Sequence, residues 1–254
     1  MNKFLNNTKP PLVAMIAAKT TEDAIYQITN SLYDGADAFG IQLCQLKQEC
    51  RTREELIKIF DACIGKPIYI TSYKGAESKE HTYEMCAELL LLAVDAGATL
   101  LDVPGDFFDT SPSGMTLSPD AVAKQVSLID EIHARGGEVL MSCHHTERLS
   151  EDEILMHARE QVKRGADIIK IVARCYNEDQ VVENVNVIHK IRKEIDKPLL
   201  YLTNGDNKYA RILRQIGPSF GVCMYLCVQH HTPGMTKMQL GLRSAKQLRD
   251  NLIF

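Results

Sequence analysis

Residues 1–254 are expected to form one (β/α)8 TIM barrel of the α/β class. Three observations predict it: a length typical of such barrels, eight short apolar runs alternating with helical patterns, and a repeated glycine punctuation between them. The apolar runs fall at 11–18, 38–46, 67–73, 100–104, 138–144, 168–174, 198–204 and 221–229. Between them, at 21–34, 80–96, 118–135 and 150–164 for example, apolar residues recur every three or four positions, the period of a helix with one buried face. Ser150 followed by Glu153 reads as a capping box, and Pro119 after Ser118 suits a first helical position. Gly35-Ala36-Asp37, Gly97-Ala98-Thr99 and Gly165-Ala166-Asp167 each close a helix and start a strand. Strands always separated by helices must run parallel, and eight of them close. An open doubly wound sheet would want a glycine-rich turn after the first strand, and Ala17-Ala18-Lys19-Thr20 has none.

The composition, 45% hydrophobic and 24% charged, is that of an ordinary globular protein. A chain of this size buries enough surface to need no disulfide or metal staple. The net charge of −4 is spread along the chain, which argues against nucleic acid or an anionic membrane as partner. No run of eighteen apolar residues is present and the first residues lack the apolar core of a secretory signal, so no membrane association is expected. Eight cysteines without a CxxC pair read as reduced, mostly buried thiols of a cytoplasmic protein.

In such barrels the chemistry lies where the strands end. The polar residues at those ends are Gln42 and Cys44, Thr71, Tyr73 and Glu77, Asp102 and Asp106, and Ser142, His144 and His145. Lys170, Thr203, Asn204, Asp206 and Arg211, and His230, His231 and Thr232 complete the set. Lys170 interrupts the apolar run Ile168-Ile169-Lys170-Ile171-Val172, on a strand buried on both faces. Burial disfavours its charged form, and a neutral amine is what attack on a carbonyl requires. The competing reading is a structural lysine paired with a carboxylate such as Asp102. His144 ends the neighbouring strand and is suited to moving protons beside Lys170. The pairs His144-His145 and His230-His231 raise a metal site, but the first strand lacks the His-x-His of barrel zinc hydrolases, and no metal is expected.

Ser142-Cys143-His144, followed by Gly165-Ala166-Asp167-Ile168-Ile169-Lys170, resembles the type I 3-dehydroquinate dehydratases, over essentially the whole chain. The resemblance implies a hydro-lyase that needs no cofactor. Lys170 would form an imine with a small-molecule keto acid, and His144 would remove the alpha proton and help expel the beta hydroxyl as water. Glu77 falls where the family has an acid within reach of the histidine, Arg211 where it has the carboxylate-binding arginine, and Pro233-Gly234 where its lid has Pro-Gly. A homodimer is the expected assembly. Several positions depart from the family. Gly40-Ile41-Gln42 replaces Glu-x-Arg, Tyr73 replaces an arginine, and the lid reads His231-Thr232-Pro233-Gly234-Met235 instead of Ser-Ala-Pro-Gly-Gln. Gln42, Tyr73, Arg211, His231, Thr232 and Met235 are therefore the expected substrate contacts, and 3-dehydroquinate itself is expected to be a poor substrate. A Schiff-base aldolase and a non-catalytic metabolite-binding relative are the alternatives.

Overall fold

The computed structural model describes residues 3–5, 9–75, 80–232 and 235–252. Strand and helix alternate along the chain: β1 (Leu12–Ile16), α1 (Thr21–Tyr33), β2 (Ala38–Gln42), α2 (Arg53–Asp61), β3 (Ile68–Thr71), α3 (Tyr83–Asp95), β4 (Leu100–Pro104), α4 (Pro119–Ala134) and β5 (Glu138–His144). They continue as α5 (Glu151–Lys163), β6 (Ile168–Arg174), α6 (Glu178–Glu194), β7 (Leu199–Asn204), α7 (Lys208–Ile216), β8 (Tyr225–Val228), a two-residue β9 (Leu240–Gly241) and α8 (Leu242–Asn251). All pairings are parallel, in the order β7-β6-β5-β4-β3-β2-β1-β8-β9. Curling brings the ends of this sheet together, where the isolated bridge between Leu199 and Val222 links β7 to the segment before β8. The fold is the expected (β/α)8 barrel.

The local chemistry explains the element ends. Thr20, Thr52, Thr82, Asn177 and Asn207 each accept a backbone N–H at a helix start. Both halves of the Ser150–Glu153 capping box form. Ser118 caps α4 by position only, without a side-chain bond, and Pro119 fills the first turn. Five strands, β1, β2, β3, β7 and β8, are shorter than their apolar runs, and at β2 and β8 a local turn is the cause. After Gln42 the chain turns into a 3-10 helix, Leu43–Gln45, whose apolar residues are buried without extending the sheet. Gly221, at φ 89°, makes a left-handed turn that delays β8 to Tyr225.

Side chains alternate across the sheet, so register fixes what faces the interior. Pro104 pairs with Ser142, Ser142 with Lys170, and Lys170 with Leu200, which puts all four on one level and one face. Asp102 and His144, two residues away on their strands, share that face. Below them the interior is filled by Val13, Leu100, Leu140 and Ile168. Phe4 is fully buried and meets the Tyr69 ring edge-on at 6.4 Å. Its backbone N–H donates to Glu138 at the start of β5, so Phe4 closes the end where the strands begin. The opposite end is open.

The thiols are free, and all but the partly exposed Cys223 are buried. Among the described residues, no helix is long and apolar enough to cross a membrane.

Candidate active site

Lys170 is 4% exposed and lies at the floor of a cavity of about 250 Å³ at the C-terminal end of the barrel. Gln161 of α5 brackets its backbone, donating to the Lys170 carbonyl and accepting from its N–H, both at 3.1 Å. The ammonium donates to Asp102 Oδ2 at 2.8 Å, to the Tyr69 hydroxyl at 3.0 Å and to the Tyr73 hydroxyl at 3.2 Å. Asp102 is fully buried. It accepts from both phenols, with Tyr73 at 2.5 Å, and from Ser142 Oγ at 2.6 Å. The uncompensated lysine expected from the sequence thus has a buried counter-ion, the feature of the competing structural reading.

Burial alone would push the Asp102 carboxyl up, but the Lys170 ammonium and the hydrogen bonds outweigh it, and the group is an anion at neutral pH. Burial, and then the Asp102 charge, push both phenols well above their ordinary range. Tyr69 and Tyr73 therefore remain protonated donors.

His144 stands at the cavity mouth, with its ring 5.6 Å from that of Tyr73. Gly114 abuts its backbone. A Cβ there would come 2.6 Å from the His144 nitrogen, and φ is +69°, so only glycine lets the β4–α4 loop buttress the end of β5. The surrounding protein and the Lys170 ammonium lower the His144 pKa to about 3, opposed by Asp102. The side chain itself opens to the cavity, where water moderates the effect. The ring is neutral at pH 7, the form a general base needs. It also borders a second cavity of about 320 Å³ lined by Tyr73, Tyr83, Asp106 and Phe107.

The other expected residues divide. Gln42 and Tyr73 line the Lys170 cavity, and Gln42 Nε2 reaches the sulfur of Met235 at 3.2 Å. His231 is exposed, its Nε2 3.1 Å from the Gln239 carbonyl, and Thr232 is half-buried with Oγ1 unpartnered. Glu77, Pro233 and Gly234 lie outside the described residues. Arg211 is exposed on α7 and is not among the residues lining the cavity; Arg214 lines it instead. Arg214 follows Ala210 by one helical turn on the buried face of α7, a spacing that could have identified it. It is 7% exposed, donates to the Thr203 carbonyl at 2.8 Å and to Asn204 Oδ1 at 3.2 Å, and has no carboxylate partner among the described residues. Burial lowers its pKa to about 10, so it stays charged.

Sequence reasoning also missed Tyr69, although strand alternation from Thr71 places it inside, and Gln239, whose buried Oε1 has no partner among the described residues. The two His-His pairs do not converge. His145 turns outward to His157, 3.4 Å away, and His230 meets Gln229. Among the described residues, no three His, Cys, Asp or Glu side chains are grouped to hold a metal ion.

A family profile described as type I 3-dehydroquinase matches residues 12–250. The chain belongs to the type I 3-dehydroquinase family. Its fold is that of solved 3-dehydroquinate dehydratases. The Geobacillus kaustophilus structure has a TM-score of 0.81 at 14% identity, covering 97% of this chain and 92% of that one. The Clostridium difficile type I structure, with covalently modified comenic acid, has a TM-score of 0.79 at 16% identity and covers 97% and 93%. The Enterococcus faecalis structure has a TM-score of 0.76 at 18% identity and covers 98% and 96%. Comparison with curated proteins finds no match. The type I 3-dehydroquinase family is a family of hydro-lyases.

Proposed function

We propose that this dehydroquinase-family chain is a Schiff-base-forming hydro-lyase acting on 3-dehydroquinate or a related polyhydroxylated keto acid. The observation that carries the reading is a buried amine, Lys170, opening onto a cavity whose mouth holds a neutral imidazole, His144. The covalent adduct in the Clostridium difficile neighbour's structure supports covalent chemistry for the family.

Lys170 first passes a proton to Asp102, 2.8 Å away, and its free amine attacks the substrate ketone. The carbinolamine hydroxyl leaves as water with the proton that Asp102 took, relayed through the Tyr69 or Tyr73 hydroxyl that Asp102 contacts, to give an iminium. His144 takes the alpha proton, and the electron pair moves into the iminium to give an enamine. As that pair returns, the beta hydroxyl leaves as water, carrying the proton back from His144. Water then hydrolyses the imine and restores Lys170, so one water is lost overall. Arg214 holds the substrate carboxylate, with Gln42 and the lid residues Thr232, Met235 and His231 around the rest.

The Lys170–Asp102 pair also suits a binding protein whose lysine is purely structural. Borohydride separates the two. With 3-dehydroquinate or a related keto acid, reduction should add the substrate's mass to the Lys170 peptide, and Lys170→Ala should abolish it. Labelling that persists in the variant, or no labelling by any ketone, would overturn the Schiff-base assignment.

A further inference from the structure

The Lys170 cavity does not end at its own wall. A second chamber of about 320 Å³ is lined by Arg174, Asn204, Gly205, Asp206, Thr236 and Lys237, among others, and it shares Asn204 and Thr236 with the first. The two make one cleft along the ends of β6, β7 and the segment after β8, deep at Lys170 and shallow at Lys237.

The charges along this cleft are unbalanced. Of the arginines shielded from solvent, Arg164 and Arg249 meet carboxylates, and Arg51 directs its donors to the carbonyls of Leu46 and Cys44. Arg174 and Arg214, like Arg51, have no carboxylate within ion-pair distance among the described residues, and of these three only Arg174 and Arg214 border this cleft. Arg214 at least reaches Thr203 and Asn204. Among the described residues the Arg174 side chain has no hydrogen-bond or ion-pair partner, and its Nε is buried. A half-buried guanidinium with an unsatisfied, desolvated donor is costly unless something outside the chain completes it. Lys237 adds a second cation, this one exposed, to the same chamber, whose described lining holds a single carboxylate, the exposed Asp206.

We infer that the outer chamber is an oxyanion subsite, in which Arg174 and Lys237 bind a second anionic group, carboxylate or phosphate, on a substrate whose first carboxylate sits at Arg214. This rests on the reading that the Lys170 cleft is the substrate site. The substrate class is then a keto acid carrying two anions, the second beyond the end of β6. A planar guanidinium suits such a group because it can donate two parallel hydrogen bonds.

Calorimetric titration at constant ionic strength tests it, with butyrate, succinate and 3-phosphonopropionate as probes. The dianions should bind about tenfold or more tightly than butyrate, as a new charge-assisted bond implies. Arg174→Gln with Lys237→Gln should reduce that preference to about twofold and leave butyrate unchanged. Arg159→Gln, which removes an exposed charge on α5, should leave it intact. Whichever dianion binds more tightly names the oxyanion. Equal binding of all three probes, or a dianion affinity that changes less than about threefold in the double variant, would overturn the inference. Borohydride labelling of the same protein variants with a keto acid, in separate samples, keeps the two readings separate. Labelling without dianion preference leaves the imine and removes the subsite, whereas preference without labelling does the reverse.

Discussion

On the floor of the cavity, Lys170, Asp102, Tyr69, Tyr73 and Ser142 complete one another's hydrogen bonds. On the wall formed by the ends of β6 and β7 and the segment after β8, Arg174 Nε and Gln239 Oε1 are buried without partners among the described residues, and among them Arg214 has no counter-ion. The floor satisfies its own polar groups and is therefore preorganised; the wall keeps polar groups that no described residue satisfies. Substitutions at the two places should have opposite effects on stability, and that contrast can be broken by measurement.

The largest effect belongs to the floor. Asp102→Asn leaves the Lys170 ammonium buried without a counter-charge and should cost about 3–5 kcal/mol, a fall in Tm of roughly 10 °C, together with loss of imine formation. An unchanged melt would show that the pair contributes nothing to the fold. His144→Ala should slow elimination by about 10² to 10⁴ while Lys170 is still trapped by borohydride, because the histidine acts after the imine forms. Loss of trapping in this variant would place His144 earlier in the sequence. On the wall, Arg214→Met removes an uncompensated buried charge. It should leave Tm unchanged or raise it, while raising KM for an acidic substrate about 10- to 100-fold. Arg211→Ala should change KM by less than about threefold. The reverse order would restore Arg211 as the carboxylate contact.

A smaller effect comes from behind the floor. Burial pushes His145 down to about 4 and lowers His157, which packs against it. Between those folded values and the ordinary value of about 6.5, the unfolded chain binds more protons than the folded one. Stability therefore rises with pH across that window and is lost on acidification from pH 6.5, by about 1.4 kcal/mol per pH unit for each fully buried ring. His144 adds less because it is open to the cavity. Asp102 acts in a different window. Its folded pKa is depressed, so its contribution holds above the unfolded value and disappears only as pH falls through the folded one. Urea unfolding at pH 7 and pH 5 should show the loss, and His157→Gln should flatten it. Equal stability at both pH values would contradict the assignment.

The barrel was legible in the sequence because its signal is repeated: every βα unit carries its own period, cap and glycine. Lys170 and His144 were legible because each breaks an apolar strand at a known level of the barrel. Arg214 was not, because the family pattern points to Arg211 and only the helix phase of α7 decides which arginine turns inward. Nor was the fate of Gly40, where the family has glutamate. A Cβ at Gly40 would come 2.2 Å from Met15 Sδ and 3.1 Å from Tyr69 Cδ1, so Met15 occupies the space. Rebuilding the family pattern with Gly40→Glu, Gln42→Arg and Tyr73→Arg should therefore gain 3-dehydroquinate activity only when Met15→Ala is added. Equal gains with and without Met15→Ala would show that the side chain moves aside freely.

The seam between β7 and β8 carries a consequence for how the molecule divides its labour. Lys170 and His144 sit on staves joined by long continuous ladders, five register pairs between β5 and β6 and six between β6 and β7. The circle is fastened between β7 and β8 by one isolated bridge. Such a barrel is held by many backbone pairs around Lys170 and His144 and by few at the β7–β8 seam. Selection can reshape its appetite at the loose edge while leaving the reacting pair undisturbed.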